Sequence, residues 1–397
     1  MMTMRYAEVP AALQLGPAGS AGTAGAARVV SVDALRGFNI FWIIGGDGAI
    51  YALDRVLQHK GSLAAAVGGF LGAQMTHSPW EGFRFYDFIF PLFLFVIGVS
   101  IVLSLTRLVA REGTAKAHGR VLRRALLLYA LGIIFYGGFK GAFDDIRLVG
   151  VLQRIAICYL FASLMFLNFN GRGLVAAFLA LLIGYWALMM FVPVPDLGAG
   201  FLLPNANLAD WIDVNYLPGR LWDKTRDPEG LLGTLPAIAS CLAGVFAGLL
   251  LQDARVAPQR KVLWLIGGGA LCVVAGEIWG LWFPVIKPIW TSSYVLVAAG
   301  WSAILLGALY QVIDLWGYQR WATIFVWIGA NAITLYFING VVGFEPFALR
   351  FVGGDIARFF DAALTPGAGS FIAHLVGLGF AVALAGYLYK RKIFLRV

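Results

Sequence analysis

The sequence predicts an all-α membrane protein whose chain crosses the bilayer about ten times in one helical bundle. The first observation is composition: 60% of the 397 residues are hydrophobic and 13% are charged, against about 45–50% and 25% in soluble proteins. The second is spacing, because the apolar residues form runs of about 17 to 22 residues, enough for a helix to span about 30 Å of hydrocarbon. Ten such runs lie near residues 37–55, 85–106, 122–140, 148–168, 173–193, 231–251, 262–282, 291–313, 322–342 and 371–389.

The first 27 residues differ from the rest of the chain. They are polar and rich in Ala and Gly, and they contain no continuous apolar stretch of the kind found in a signal peptide. We therefore expect residues 1–27 to be a disordered cytoplasmic leader that is not cleaved. Residues 28–397 are expected to form a single transmembrane domain.

The distribution of charge predicts the orientation in the membrane, because short cytoplasmic loops retain Lys and Arg. With the N-terminus inside, most of the 30 Lys and Arg residues fall on the inner side, including those within 107–124 and 390–396. Both termini should then be cytoplasmic. The net charge of +9 reflects this topology and contact with anionic lipid, and it does not indicate nucleic-acid binding. The long outer loop 194–230 is rich in Pro, Asn and Asp, which predicts ordered turns that form a lid or wall.

The stretch from Met75 to Ser100 is the strongest candidate for a functional site. Its second half is an apolar run, and its first half places four ionisable residues at the mouth of that run: His77, Glu81, Arg84 and Asp87. Ionisable groups at this depth are costly, so they mark functional sites by default. The alternative is structural: His77 caps a helix and Asp87 pairs with Arg84.

A second ionisable residue, Asp47, lies inside the first apolar run. It needs a partner or a polar cavity, and either an ion pair with Arg154 or a role facing the substrate would satisfy it. The neighbouring glycines favour close helix packing over phosphate binding, since no strand precedes them. The three cysteines lie within apolar runs, and neither they nor the four histidines have the spacing of metal ligands. We expect no disulfide and no metal.

Six sequence blocks, in the same order along the chain, carry a family resemblance. Together they resemble the transmembrane acyltransferases related to heparan-α-glucosaminide N-acetyltransferase, and the chain is similar to a bacterial member. The blocks are residues 28–37 (RVVSVDALRG), 77–82 (HSPWEG), 87–91 (DFIFP), 150–154 (GVLQR), 227–236 (DPEGLLGTLP) and 290–294 (WTSSY).

The resemblance implies that residues 28–397 are a transmembrane acyltransferase domain in the bacterial inner membrane. Such an enzyme takes acetyl from cytosolic acetyl-CoA and delivers it to the amine of a glucosamine-type sugar on the outer, periplasmic side. It also implies that His77, in the H-x-P-W block, is the catalytic residue. The chain departs from the pattern twice, with Asp47 and Glu81 where Asn is usual. The lumenal N-terminal domain of lysosomal members has no counterpart here, so we expect a small amino sugar as acceptor.

The donor site must bind the phosphates of CoA, and Arg is well suited to do so because it can bind phosphate oxygens in pairs. Arg36, Arg123 and Arg124 fall at the cytoplasmic ends of the first and third runs. Retention of positive charge on the inner side is the alternative explanation for each. The candidate cofactor-binding residues are Arg36, Arg123, Arg124, Arg154, Ser292 and Asn331, the last two with helix-to-helix hydrogen bonding as their alternative.

On the acceptor side, carboxylates can attract a sugar ammonium and Trp80 offers a face for the ring. We predict Trp80, Glu81, Asp227 and Glu229 as substrate-binding residues, and His77, Asp87 and Asp47 as catalytic residues. A histidine whose pKa lies near the working pH can accept the proton of the attacking amine. Direct transfer with His77 as general base is the preferred scheme, and an acetyl-His77 intermediate is the alternative.

A second class of function is an amino-sugar transporter without acyl transfer. Such a carrier is expected to show inverted repeats with matched broken helices. We find no repeat between the two halves of the sequence, so the enzyme is favoured. The expected partners are an amino-sugar acceptor and the lipid bilayer, with no nucleic acid, and a homodimer stays open.

Overall fold

A computed structural model describes residues 29–395, so the predicted leader at residues 1–27 lies outside the described part of the chain. These residues form sixteen α-helices and one short β-hairpin. The helices are α1 (Val30–Phe41), α2 (Asp47–Leu57), α3 (Ser62–Gln74), α4 (Phe85–Glu112), α5 (Thr114–Phe135), α6 (Val151–Asn168), α7 (Gly171–Phe191), α8 (Leu208–Tyr216), α9 (Thr234–Gln252), α10 (Pro258–Gly280), α11 (Ser292–Leu309), α12 (Thr323–Ala330), α13 (Ala332–Val341), α14 (Phe344–Val352), α15 (Gly354–Ala363) and α16 (Ala368–Lys390); the hairpin pairs β1 (Leu202–Leu203) with β2 (Ala206–Asn207).

All ten predicted apolar runs coincide with helices, so the predicted all-α, multi-pass class is confirmed. In the described part of the chain, seven helices are long and apolar enough to cross a membrane, namely α4, α6, α7, α9, α10, α16 and α11 with its π-helical extension. The bent pair α12 and α13 makes an eighth if it counts as one span. The first run is divided between α1 and α2, and α5 carries several cations in its first half.

The first run is divided by a π-helical turn at Trp42–Gly46. Gly45 within it has φ = 135°, a conformation that side chains other than glycine rarely adopt. Local π-turns of this kind are frequent at functional sites. The turn places Asp47 at the start of α2, next to the helix α4 that carries Tyr86 and Asp87.

The second break lies between α12 and α13, whose axes differ by 75°. Asn331 occupies the break, outside helical geometry at φ −120° and ψ 23°. Its side-chain amide donates to the backbone carbonyl oxygen of Trp327 at 3.2 Å. Broken helices within the membrane are tolerated where they line a cavity, and Asn331 does line one, as described below.

The centre of the bundle is the packing of α4 against α9. Gly98 on α4 and Gly244 on α9 face each other so closely that a Cβ at either would overlap a backbone carbonyl oxygen of the other helix. Small residues permit such close approach in helices that pack within lipid. Leu94, Val102, Cys241 and Val245 are fully buried beside this contact. The contact brings the backbones of α4 and α9 together near the middle of α4.

The long loop between α7 and α9 is ordered, as its turn-forming residues predicted. It contains the β-hairpin and α8, whose N-terminus is capped by the Asn207 side chain accepting from the Asp210 backbone N–H at 2.9 Å. Leu208 and Ala209 pack with Phe283 and Ile286 of the loop before α11. The loop therefore forms a wall over this end of the bundle.

Candidate active site

His77 and Asp87 lie in contact at the end of the bundle where α4 begins. His77 is in the turn between α3 and α4, and its Nδ1 lies 2.9 Å from Oδ1 of Asp87. The other carboxylate oxygen of Asp87 accepts from the backbone N–H groups of Ser78 and Arg84, each at 3.1 Å. An ionised carboxylate can only accept hydrogen bonds, so this contact is a hydrogen bond when the imidazole carries its proton on Nδ1, and Nε2 then has the lone pair.

The structural alternative was that His77 caps a helix and that Asp87 pairs with the Arg84 side chain. Asp87 does cap the start of α4, but through the backbone of Arg84, whose side chain donates instead to the hydroxyl of Thr76 at 2.7 Å. His77 caps no helix among those described. The Asp87 side chain is 1% exposed and that of His77 is 53% exposed. Asp87 is thus buried, and the half-exposed His77 side chain lies at the wall of the cavity described below.

Lys287 is the third member of this cluster, and the sequence reasoning did not identify it. Its Nζ lies 2.8 Å from Nδ1 and 3.2 Å from Nε2 of His77, and 3.5 Å from Oδ1 of Asp87. Burial lowers the pKa of Lys287 to about 8, against the opposing effect of Asp87 and Glu229. The available signal was a lysine between two prolines, three residues before the WTSSY block.

Asp47 reaches the cluster through Tyr86. The Tyr86 hydroxyl interacts electrostatically with the Asp47 carboxylate, and the Tyr86 ring packs against the His77 ring with centroids 4.9 Å apart. Arg154, considered above as a partner for Asp47, lies elsewhere: it donates to the Gly230 carbonyl oxygen at 3.0 Å and packs over the Trp290 ring. The structure therefore links Asp47 to the histidine side of the site.

Asp227 and Glu229 form a second charged cluster around Arg147. The guanidinium donates to Oδ1 of Asp227 at 3.0 Å and to Oε2 of Glu229 at 2.7 Å. It is stacked between the rings of Tyr136 and Trp222, at 4.5 and 4.4 Å from their centroids. Burial raises the pKa of Glu229, while the nearby guanidinium groups act in the opposite direction. Arg147 was also missed by sequence reasoning, although it lies three residues before the GVLQR block.

A single cavity of about 1140 Å³ joins these clusters to the opposite end of the bundle. Its wall follows α4 from Asp87 to Arg107, which is about 30 Å at the helical rise of about 1.5 Å per residue. That distance is about the thickness of the hydrocarbon core of a bilayer. The charged residues in the wall are His77, Asp87, Arg147, Asp223, Arg226, Glu229 and Lys287 towards one end, and Asp33, Arg36, Arg107 and Arg124 towards the other.

The cavity includes some of the predicted cofactor-binding residues and not others. Arg36, Arg124 and Asn331 line it, and Arg36 donates to the Ser100 hydroxyl at 2.7 Å. Arg123 is exposed on the outside of α5. Ser292 is buried and donates to the carbonyl oxygen of Leu182, which is a helix-to-helix contact. Arg154 lies behind Trp290, which itself lines the cavity.

Trp80 and Glu81 lie beside the cavity. The Trp80 indole N–H donates to the Leu202 carbonyl oxygen at 2.8 Å, and the Arg226 guanidinium lies 5.3 Å from its ring centroid. The Glu81 side chain is exposed, whereas its backbone pairs with that of Ile286. Trp80 therefore fastens the turn that carries His77 to the wall formed by the loop between α7 and α9.

Comparison with known proteins gives a consistent family assignment. Relatives named heparan-alpha-glucosaminide N-acetyltransferase are 26% identical over 378 residues in Mus musculus and 28% identical over 379 residues in Homo sapiens. Each alignment covers 81% of this chain, and 56% and 55% of the two relatives. The chain therefore spans about half the length of the curated relatives it matches.

The catalytic-region model of the same family matches residues 28–275, which is more than half of the chain and includes His77, Asp87, Arg147 and Glu229. This confirms the resemblance carried by the sequence blocks. The chain belongs to the heparan-alpha-glucosaminide N-acetyltransferase catalytic family.

Proposed function

We propose that the protein is a transmembrane N-acetyltransferase that moves acetyl from acetyl-CoA to the amine of a glucosamine-type sugar on the opposite side of the membrane. The observation that carries this proposal is the cavity: it connects a cationic end, with Arg36, Arg107 and Arg124, to the His77–Asp87 pair. A donor with several phosphates and an amine acceptor need such opposite ends. A thioester and an amine can meet inside one continuous cavity.

The cationic end is proposed to bind the phosphates of CoA. Arg36, Arg107 and Arg124 line it together, with the hydroxyls of Ser100 and Ser104 next along α4. Guanidinium groups bind phosphate oxygens in pairs and stay charged at any physiological pH. The flexible pantetheine arm would then run along α4, past Asn331, towards His77.

The other end is proposed to bind the sugar. Glu229 lines the cavity with a carboxylate that can attract an ammonium group, and the Trp222 ring offers an apolar face for a sugar. Asp227 would support Glu229 through Arg147, to which both carboxylates bind. The ordered wall leaves a bounded space, which favours a small amino sugar over a long polymer.

The chemistry proposed at His77 is general base catalysis. The neutral sugar amine attacks the thioester carbonyl carbon, and Nε2 of His77 takes the proton that the nitrogen loses. The new C–N bond forms first and gives a tetrahedral intermediate; the C–S bond then breaks, and the CoA thiolate leaves with the electron pair and takes up a proton. Asp87 would hold the imidazole in the required tautomer through Nδ1. Since amine and thioester reach one cavity, direct transfer needs no acetyl-His77 intermediate.

The proposed location is a bacterial inner membrane with both termini in the cytoplasm, the cationic end inside and His77 outside. In a chain without its three native cysteines, single cysteines at Lys116 and Lys140, near the two opposite ends of α5, should react with an impermeant reagent from opposite sides of the membrane. Reaction of both from one side would contradict this topology.

The test of the proposed function uses the purified protein in liposomes loaded with acetyl-CoA on the side of the cationic end. Glucosamine added on the other side should produce free CoA and N-acetylglucosamine in equal amounts, and His77→Ala should not. Sugar uptake that proceeds without acetyl-CoA would instead identify a transporter and overturn the proposal.

A further inference from the structure

Lys287 is held over His77 by backbone contacts between two loops. The Gly82 N–H donates to the Val285 carbonyl oxygen at 2.8 Å, and Glu81 and Ile286 form an antiparallel bridge. Thr291 closes the second loop: its hydroxyl accepts from the Ile286 N–H at 3.0 Å and donates to the Pro284 carbonyl oxygen at 2.8 Å. The loop that carries Lys287 is therefore fastened directly to the turn that carries His77.

The Lys287 side chain is aimed into the cavity rather than into solvent. It lines the cavity and is 15% exposed. Lysine is normally among the most exposed residue types unless it is paired, and burying its ammonium is costly. The charged and titratable groups that face it are His77 from the turn before α4, Asp87 from α4, and Glu229 from the segment before α9.

We propose that Lys287 is a catalytic residue of the acetyl transfer, in which its ammonium stabilises the negative charge that develops on the thioester carbonyl oxygen while His77 accepts the amine proton. This inference rests on the proposed function. The step balances without another reagent: the oxyanion forms as the C–N bond forms, and it collapses as the C–S bond breaks and CoA leaves. Lys287 keeps its proton throughout.

Distance supports this assignment. A general base lies about 2.6–3.2 Å from the proton donor, so the attacking amine must sit close to Nε2 of His77. In the tetrahedral intermediate the carbonyl carbon is bonded to the nitrogen of the sugar amine, and the carbonyl oxygen is one further bond away. The Lys287 ammonium is already 3.2 Å from Nε2, and its flexible stem lets it move to this oxygen when the amine takes its place beside the ring.

The charges around the site also favour Lys287 as the group that stabilises the oxyanion. Asp87 and Glu229 both face the place where the intermediate forms, and two carboxylates alone would oppose a new negative charge. The pKa of Lys287, lowered to about 8 by burial, leaves the side chain mostly protonated at pH 7. An ammonium in a cavity largely removed from water is worth far more to an oxyanion than one in solvent.

The test compares Lys287→Met, Lys287→Arg and the exposed control Lys140→Met in proteoliposomes, with kcat measured at saturating substrates and the KM for acetyl-CoA measured by varying acetyl-CoA at saturating sugar. We expect Lys287→Met to lower kcat about 10²–10³-fold, as removal of an oxyanion donor does, with the KM for acetyl-CoA little changed. Lys140→Met should match the wild type. Binding of acetyl-CoA shows that each variant is folded.

The pH profile separates this role from a structural one. The wild-type kcat should fall as pH rises above about 8, because Lys287 loses its proton there, and the Arg variant, which stays charged, should lack this fall. A kcat in Lys287→Met equal to that of the wild type would overturn the assignment, as would a wild-type kcat that rises through pH 8, which indicates a base. A wild type that releases no CoA with any amine refutes the transfer reaction itself.

Discussion

The Nδ1 atom of His77 lies 2.9 Å from Oδ1 of Asp87, a carboxylate buried at the start of α4 that also accepts from two backbone N–H groups. We expect His77→Ala to lower acetyl transfer at least about 10²-fold, the usual contribution of a general base, while acetyl-CoA still binds. Asp87→Asn should lower kcat as well, because Asn can stabilise the wrong tautomer.

Incubation of the wild type with radiolabelled acetyl-CoA and no sugar should leave the protein unlabelled; stoichiometric label on His77 would favour the covalent scheme.

The cationic end of the cavity predicts a contrast between two arginines. Arg36 lines the cavity and donates to Ser100, whereas Arg123 is exposed on the outside of α5. We expect Arg36→Ala to raise the KM for acetyl-CoA about tenfold or more, with the KM for sugar almost unchanged, because a charge-assisted hydrogen bond to phosphate is lost. Arg123→Ala serves as the control and should leave both constants unchanged. Equal effects in the two variants would contradict the donor site.

Asp47 is predicted to act through Tyr86. Because the Tyr86 hydroxyl interacts with the Asp47 carboxylate and the Tyr86 ring packs on His77, Asp47→Asn and Tyr86→Phe should each lower kcat about tenfold, the equivalent of one polar interaction with a charged group. The double variant should be no worse than either single one, since the two residues share one interaction. If Asp47→Asn retains full activity and the same pH profile, its departure from the family pattern is neutral.

Arg147 is predicted to be a stability residue as well as a support for the acceptor site. Its side chain is 1% exposed and binds both Asp227 and Glu229. Replacing it with Met leaves two buried carboxylates without their cation, which costs about 3–5 kcal/mol in comparable buried pairs. We expect a clear fall in the apparent Tm in detergent. Arg255→Met, which removes a surface pair with Asp253, should leave the apparent Tm unchanged.

The buried carboxyl groups of the outer wall predict a pH dependence of stability. Burial raises the pKa of Asp213 to about 7, whereas an unfolded chain releases this proton at about pH 3.9. Between these values the folded protein holds a proton that the unfolded chain does not, so the free energy of unfolding decreases as pH rises from about 4 to about 7. Asp210 and Glu229, whose pKa values are also raised by burial, act with the same sign.

We therefore expect the apparent Tm to fall by several degrees from pH 5 to pH 7, and Asp213→Asn to weaken this dependence. The matched control is Asp144→Asn, an exposed aspartate of the loop between α5 and α6. A dependence that is the same in Asp213→Asn and the wild type would show that other groups control it.

Local sequence was sufficient for the long apolar helices, though not for the shorter α3, α8, α14 and α15, and for part of the candidate site. The turn residues before α4 and the apolar run after them predicted His77 and Asp87 at the mouth of the same run, and the two side chains are in contact there. Arg36 was predicted at the cationic end from its place at the start of the first run. The first run was correctly located but not its π-turn, since hydropathy does not record the conformation of Gly45.

The rest of the site is made by residues far apart in the chain. Lys287 is 210 residues from His77, and Glu229 is 82 residues from Arg147. Neither pair has a spacing that could indicate contact. Sequence also could not tell which arginine of α5 faces the cavity. Arg123 and Arg124 are neighbours in the chain, but Arg124 lines the cavity and Arg123 is exposed.

What the sequence by itself determined is the class of protein, the approximate position of each span and the family, because the lengths of apolar runs and the order of the motifs can be read directly from the chain. What only the tertiary structure decided is which polar groups share the cavity. The packing of α4 on α9 and the pairing of the Gly82 and Val285 loops set those distances, and the cost of burying unpaired charge favours the contact between the buried Asp87 and Lys287.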